Sequence, residues 1–174
     1  MPPEPQHDLL VFHLAGELAA LPLENVERIL PMAQLAHPPG LPSILEGFLN
    51  LAGVVVPVLR LDRLLQLPVQ RPGLYSMLIL VKGAADGGIA VLVDRVSEVL
   101  TVPESALLPV GKEHSFNGCA AAAVAVREDI IHFLSPSQIL LKKERESLSE
   151  FQAMAQQRIH DWEHGVNDGE PEKP

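Results

Sequence analysis

The chain has 174 residues and a net charge of −9, with 47% apolar, 20% charged and only 4% aromatic side chains. A chain of this length forms one domain or two joined lobes and buries enough surface to fold without metals or disulfides. The acidic balance excludes nucleic acid and anionic lipid as main partners, because both need clustered Lys and Arg. The single cysteine, Cys119, excludes an internal disulfide and fits a reducing compartment.

The opening MPPEPQHD has neither a basic stretch nor an apolar core of the kind a secretion signal needs. Residues 1–8 are expected to be a flexible tail. The first apolar run, Leu9–Leu14, reads as a strand, Ala15-Gly16-Glu17 as a turn and Leu18–Pro22 as the returning strand. Val26–Leu30 is a further short strand, followed by a Pro-rich loop from His37 to Pro42. Gly47–Leu51 and Val54–Leu59 form a hairpin around Ala52-Gly53, and Leu61–Leu67 has the spacing of a short helix. The apolar stretch Phe48–Leu59 is broken by Asn50, Gly53 and Pro57, and a bilayer span needs about 20 residues. A soluble, cytoplasmic protein is expected.

Beyond the loop Pro68–Gly73, Met77–Val81 and Ile89–Val93 flank Asp86-Gly87-Gly88, a strong hairpin signal because glycine accepts positive φ. Glu98–Val102 follows, and then Ala121–Val126 and Ile130–Leu134 around Arg127-Glu128-Asp129. Many short strands with few helices predict an all-β barrel or sandwich. The chain also echoes itself. LAALPLENVERIL is matched by IAVLVDRVSEVL, and FLNLAGVVVPVLRLDRLL has the same plan as AAAVAVREDIIHFLSPSQILL. Two small barrels side by side are the expected product of this duplication, and the groove between them is a natural binding surface.

The C-terminal part changes character. Ser135 is a good N-cap, Pro136 suits a first helical turn, and Ser137–His164 contains no Gly or Pro. A helix is expected over 136–164, with an apolar stripe of Leu148, Phe151, Ala155, Ile159 and Trp162 that should be buried on the body or on a partner. Residues 165–174 are expected to be a flexible acidic tail.

Little points to catalysis. His160 and His164 have helical spacing that two metal ligands could use, but no acidic or Cys cluster completes a set. Cys119 precedes an Ala-rich run and reads as a buried, inert thiol. His13 and His132 lie in strand patterns and read as packing or surface groups. No phosphate-binding glycine loop is present. No catalytic, metal or cofactor site is expected, and a binding module fits better than an enzyme.

VFHLAGELAALPLENVERIL resembles the opening of CheW-like domains. GFLNLAGVVVPVLRL is similar to that family's G-x-x-N-L-R-G-x-x-x-P-V-x-D-L segment, IAVLVDRVSEVL to its G-L-x-V-D-x-V-x-E-V-L stretch, and IIHFLSPSQIL sits where the family ends. The resemblance covers roughly residues 9–141. It implies two SH3-like five-stranded barrels with a C-terminal helical extension, the lobes spanning roughly 15–75 and 76–134, with the N-terminal strand a candidate to join the second. It also implies a cytoplasmic, non-catalytic adaptor at membrane receptor arrays, joining the cytoplasmic tip of a methyl-accepting chemoreceptor to the regulatory domain of a CheA-type histidine kinase. On the resemblance, Glu27, Arg28, Asn50, Leu51, Ala52, Gly53 and Arg60 lie near the receptor groove, and Leu148, Phe151, Ile159 and Trp162 form a further candidate partner surface. Three positions depart from the family: Ala52 replaces its usual Arg, Arg60 its Asp, and Leu134-Ser135 its late Leu-Asp. The first two alter charge where the family meets its receptor, which points to a variant chemosensory pathway. A small β-barrel enzyme and a CheV-like or kinase-derived interaction domain are the alternatives.

Overall fold

The structure, a computed structural model, describes residues 2–82, 88–110, 119–139 and 142–165. Its strands are β1 (Gln6–Leu14), β2 (Glu17–Pro22), β3 (Val26–Pro31), β4 (Leu45–Leu51), β5 (Val54–Arg60), β6 (Met77–Val81), β7 (Ile89–Val93), β8 (Arg95–Pro103), β9 (Leu108–Pro109), β10 (Ala120–Val126) and β11 (Asp129–Leu134). Helices are α1 (Leu61–Leu64), α2 (Pro136–Ile139) and α3 (Lys142–Gly165). The helix expected over 136–164 thus appears as α2 and α3, with 140 and 141 outside the described residues, as are Asp86 and Gly87 of the expected glycine turn.

Two SH3-like sheets result, ordered β3-β6-β7-β5-β4 and β8-β1-β2-β11-β10-β9. Each position in the first has a counterpart in the second. The hairpins β6–β7 and β1–β2 are antiparallel, and the parallel neighbours β7–β5 and β2–β11 correspond. So do the outer pairs β3–β6 and β8–β1, and the hairpins β5–β4 and β11–β10. The irregularity between Leu45 and Gly47 recurs between Ala120 and Ala122. The extra bridge from Ala36 to Phe48 recurs as β9 against Ala122 and Ala123. This is the internal echo of the sequence in three dimensions.

The expected lobe boundary near residue 75 is therefore the boundary between repeats, not between lobes. Each lobe takes a hairpin from one repeat and the remaining strands from the other: β6 and β7 complete the lobe of β3–β5, while β1 and β2 complete that of β8–β11. The physical reason is the crossover of β2 into β3 and of β7 into β8, which carries the chain from one sheet to the other. The expected N-terminal tail is shorter too, because Gln6, His7 and Asp8 already pair with Pro103, Val102 and Thr101.

Alternation along the strands divides the core in three. Leu9 and Val11 join Ala20, Val102, Val124 and Ile131 in the second lobe. Leu78 and Leu80 join Leu49, Val56, Val58, Ala90 and Leu92 in the first. Leu10, Phe12 and Leu14 point the other way, into a shared cluster with Leu59, Ile79, Val81, Ile89, Val91 and Leu134 that unites the lobes. One glycine in the first lobe permits a close backbone approach. A Cβ on Gly47 would stand 2.6 Å from the Ala36 carbonyl oxygen, and that backbone is fixed by two 2.9 Å hydrogen bonds between Ala36 and Phe48.

Candidate functional site: a groove at the end of the first lobe

The first sheet has β3 and β4 at opposite edges, and its curl brings them round to a common groove of about 370 Å³. Glu27 and Arg28 of β3 form one wall. Leu51, Ala52, Val54 and Val56 form the other, with Leu80, Val81 and Ile89 between them. Glu27 and Arg28 are exposed, so an apolar trough carries two opposite charges on its rim. Val54 is 55% exposed, a large apolar surface for a strand residue.

The Ala52-Gly53 turn has φ values of +51° and +88°, the two left-handed positions of the tight turn that matches strand twist. Gly53 takes this freely, whereas Ala52 is strained by its Cβ. The Gly53 N–H donates to Asn50 Oδ1 at 2.8 Å, so Asn50 holds the turn. Arg127, in the corresponding turn of the second lobe, has φ +57°.

Arg60 is elsewhere. It ends β5, about 20 Å along the strand from the turn, and is only 4% exposed. Its Nε and Nη2 donate to Asp62 Oδ1 and Oδ2 at 3.1 and 2.7 Å. Nη1 meets Glu46 Oε2 at 3.0 Å and Nη2 the Gln70 carbonyl at 2.6 Å. Hydrogen bonding to Asp62 lifts the guanidinium well above its ordinary pKa against the opposing effect of burial. Burial raises the Asp62 carboxyl, but the bonds and charge of Arg60 outweigh it and hold the group below its usual range. The expectation that Arg60 presents charge in a receptor groove is corrected: two residues on, Asp62 folds back to consume that charge, and the pair fastens the loop joining the two repeats.

Helix α3 lies along β5. Leu148 is 2% exposed within the shared core, and Phe151, Ala155 and Ile159 pack half-buried against it. Trp162, the last residue of the stripe, does not pack on the body and is 76% exposed. The barrel ends at the Ala52-Gly53 turn, toward which the next residue, Glu163, directs its carboxylate, so position 162 has no core beneath it. What sequence reasoning missed on this helix are two glutamines. Gln152 Nε2 donates to the Val55 carbonyl at 3.0 Å, and Gln156 accepts from the Val55 N–H at 3.1 Å while donating to the Gly53 carbonyl at 2.9 Å. Their spacing of four on the flank of the apolar stripe was the available signal.

Cys119 is buried in the shared core as expected, with Sγ 3.8 Å from the Ile139 carbonyl oxygen. His13 meets Arg95 at 3.0 Å and His132 meets Glu17 at 3.7 Å, both on the second sheet. His160 is exposed on α3, while the side chain of His164 lies outside the described residues. Among the described residues no three His, Cys, Asp or Glu side chains are grouped to hold a metal ion, and no helix is long and apolar enough to cross a membrane.

Of the residues singled out from the sequence, the groove brings together Glu27, Arg28, Leu51 and Ala52; Asn50 and Gly53 build the adjoining turn. Comparison with known proteins adds to this geometry. The chain is 24% identical over 135 residues to "Chemotaxis protein CheW" of Thermotoga maritima, covering 78% of this chain and 88% of that one. It is 25% identical over 141 residues to the protein of the same name in Bacillus subtilis, covering 80% and 90%. The fold resembles the crystal structure of scaffolding protein TtCheW from Thermoanaerobacter tengcongensis, with a TM-score of 0.69 and 22% identity over 75% of this chain and 90% of that one. A family model described as the CheW-like domain matches residues 8–144, and the chain belongs to that family.

Proposed function

We propose that this protein is a non-catalytic adaptor that couples the cytoplasmic tip of a methyl-accepting chemoreceptor to the regulatory domain of a CheA-type histidine kinase. It would act in the cytoplasm at membrane receptor arrays. The observation that carries this reading is the groove between β3 and the β4–β5 turn, in a chain whose relatives bear the name chemotaxis protein CheW. An apolar floor with a charged rim suits a helical tip: the floor takes its apolar residues, and Glu27 and Arg28 select its charges. Ala52 at the groove's edge offers no charge, which suits a receptor tip without an acidic residue at the facing position. The test is assembly of purified components. A receptor-tip fragment and the kinase regulatory domain encoded in the same genome should each bind this chain, and together with it form a ternary complex. Failure of both to bind would refute the adaptor reading.

A further inference from the structure

We propose that α3 is a displaceable occupant of the first lobe, covering in cis a face that a partner helix takes in trans. The inference rests on the receptor reading above for the partner's identity, but its geometry belongs to this chain alone. β5 pairs with β4 along nearly its whole length, whereas β7 joins its other edge only at Val58, Leu59 and Arg60. The free edge at Gly53 and Val55 would ordinarily invite another strand. Here a helix takes that place, with Gln152 and Gln156 supplying side-chain amides where a neighbouring strand would supply backbone.

The second lobe shows that a barrel of this design does not require such a cover. Ile130 occupies in β11 the place of Val55 in β5, since the two follow matching hairpin ends. Val55 is 2% exposed beneath α3; Ile130 is 59% exposed. The cover is therefore an addition to the first lobe. Near the turn, beside the half-buried Phe151, Ala155 and Ile159, it is held by three hydrogen bonds from two glutamine side chains, each worth little net because water replaces it. It also abuts the groove, since Ala52 and Val54 line the groove while Gly53 and Val55 bind α3. The partner this face fits is an amphipathic helix carrying amide side chains four residues apart beside its apolar stripe, the pattern α3 itself displays.

The test uses the full chain as wild type, as the Gln152→Ala/Gln156→Ala double variant, and as Gln157→Ala, a control whose side chain donates to Asp161 on the same helix. A fluorescein-labelled peptide of residues 142–165 is titrated into each and followed by anisotropy, and a receptor-tip fragment is titrated in parallel. The peptide is expected to bind the double variant about ten-fold or more tightly than the wild type and the control, because the cis helix has lost its bonds while the incoming one retains them. The receptor tip should show the same order. Equal peptide affinity for all three proteins would overturn the proposal. A peptide difference with equal, measurable receptor binding would also overturn it, since α3 would then lie off the partner's face. A peptide difference with no receptor binding to any protein would uphold the displaceable helix and refute the receptor reading instead.

Discussion

Asp62→Asn isolates the Arg60 cluster. The substitution keeps the shape of the side chain and one carbonyl acceptor, but removes the charge facing a guanidinium that is 4% exposed. Glu46 remains at 3.0 Å and is only partly buried, so it shields the charge incompletely. Removing one partner from a buried pair costs about 3–5 kcal/mol, and the retained carbonyl and Glu46 bring this case down to about 2–3 kcal/mol. For a chain of this size each kcal/mol shifts Tm by roughly 2–4 °C, so a fall of about 4–12 °C is expected by calorimetry at neutral pH. The Asp62 carboxyl sits below its unfolded value of 3.8 in the folded protein. Its contribution is therefore complete above that value and is lost as pH falls through the folded pKa. The gap between wild type and variant should accordingly close below about pH 4. Arg60→Met combined with Asp62→Asn should recover much of the loss, because no buried charge is then left unpaired. A Tm change under 1 °C for Asp62→Asn, or a gap that persists unchanged in acid, would refute the assignment of Arg60 as a structural cation.

Gly47→Ala should destabilise by about 1–3 kcal/mol in urea titration, because its Cβ meets the Ala36 backbone at 2.6 Å and no flexible side chain can yield. Ala52→Arg should leave stability within about 0.5 kcal/mol, since Arg127 already adopts the same left-handed conformation in the matching turn; by the proposed function, it should shift preference toward receptor tips bearing a facing acidic residue, as surface plasmon resonance would read. Leu148→Ala should cost about 2–5 kcal/mol as a cavity in the shared core, whereas Trp162→Ala should change stability by less than about 0.5 kcal/mol. Equal effects of those two helix substitutions in thermal denaturation would contradict the packing of α3.

Much of the local architecture was legible in the residues. Met77–Val81 and Ile89–Val93 are bounded in the structure as their apolar runs predict, the other expected strands differ by a few residues at their ends, and the two-residue β9 was not read from the sequence. Tight turns at Ala15-Gly16 and Ala52-Gly53 followed from short interruptions in alternating runs, and four of the groove residues followed from family motifs. Arg60 was misread because its partner Asp62 is two positions away while its burial depends on β4, α1 and the loop carrying Gln70. Trp162, exposed at the end of the stripe, shows that periodicity records which face of a helix is apolar, not where the body beneath it stops.

The sequence by itself determined the elements and their repetition, since alternation, turn chemistry and duplication are properties of neighbouring residues. Only the tertiary structure decided which strands share a lobe. Crossing of β2 into β3 and of β7 into β8 exchanges hairpins between repeats, and the pairings that result, such as Ile131 with Leu18 and Val58 with Ala90, join residues far apart in the chain. The same is true of α3. Its amphipathic face is written in its own residues, but its seat on β5 exists because β7 leaves that strand's edge open at Val55, and that opening is a consequence of strand register across the sheet.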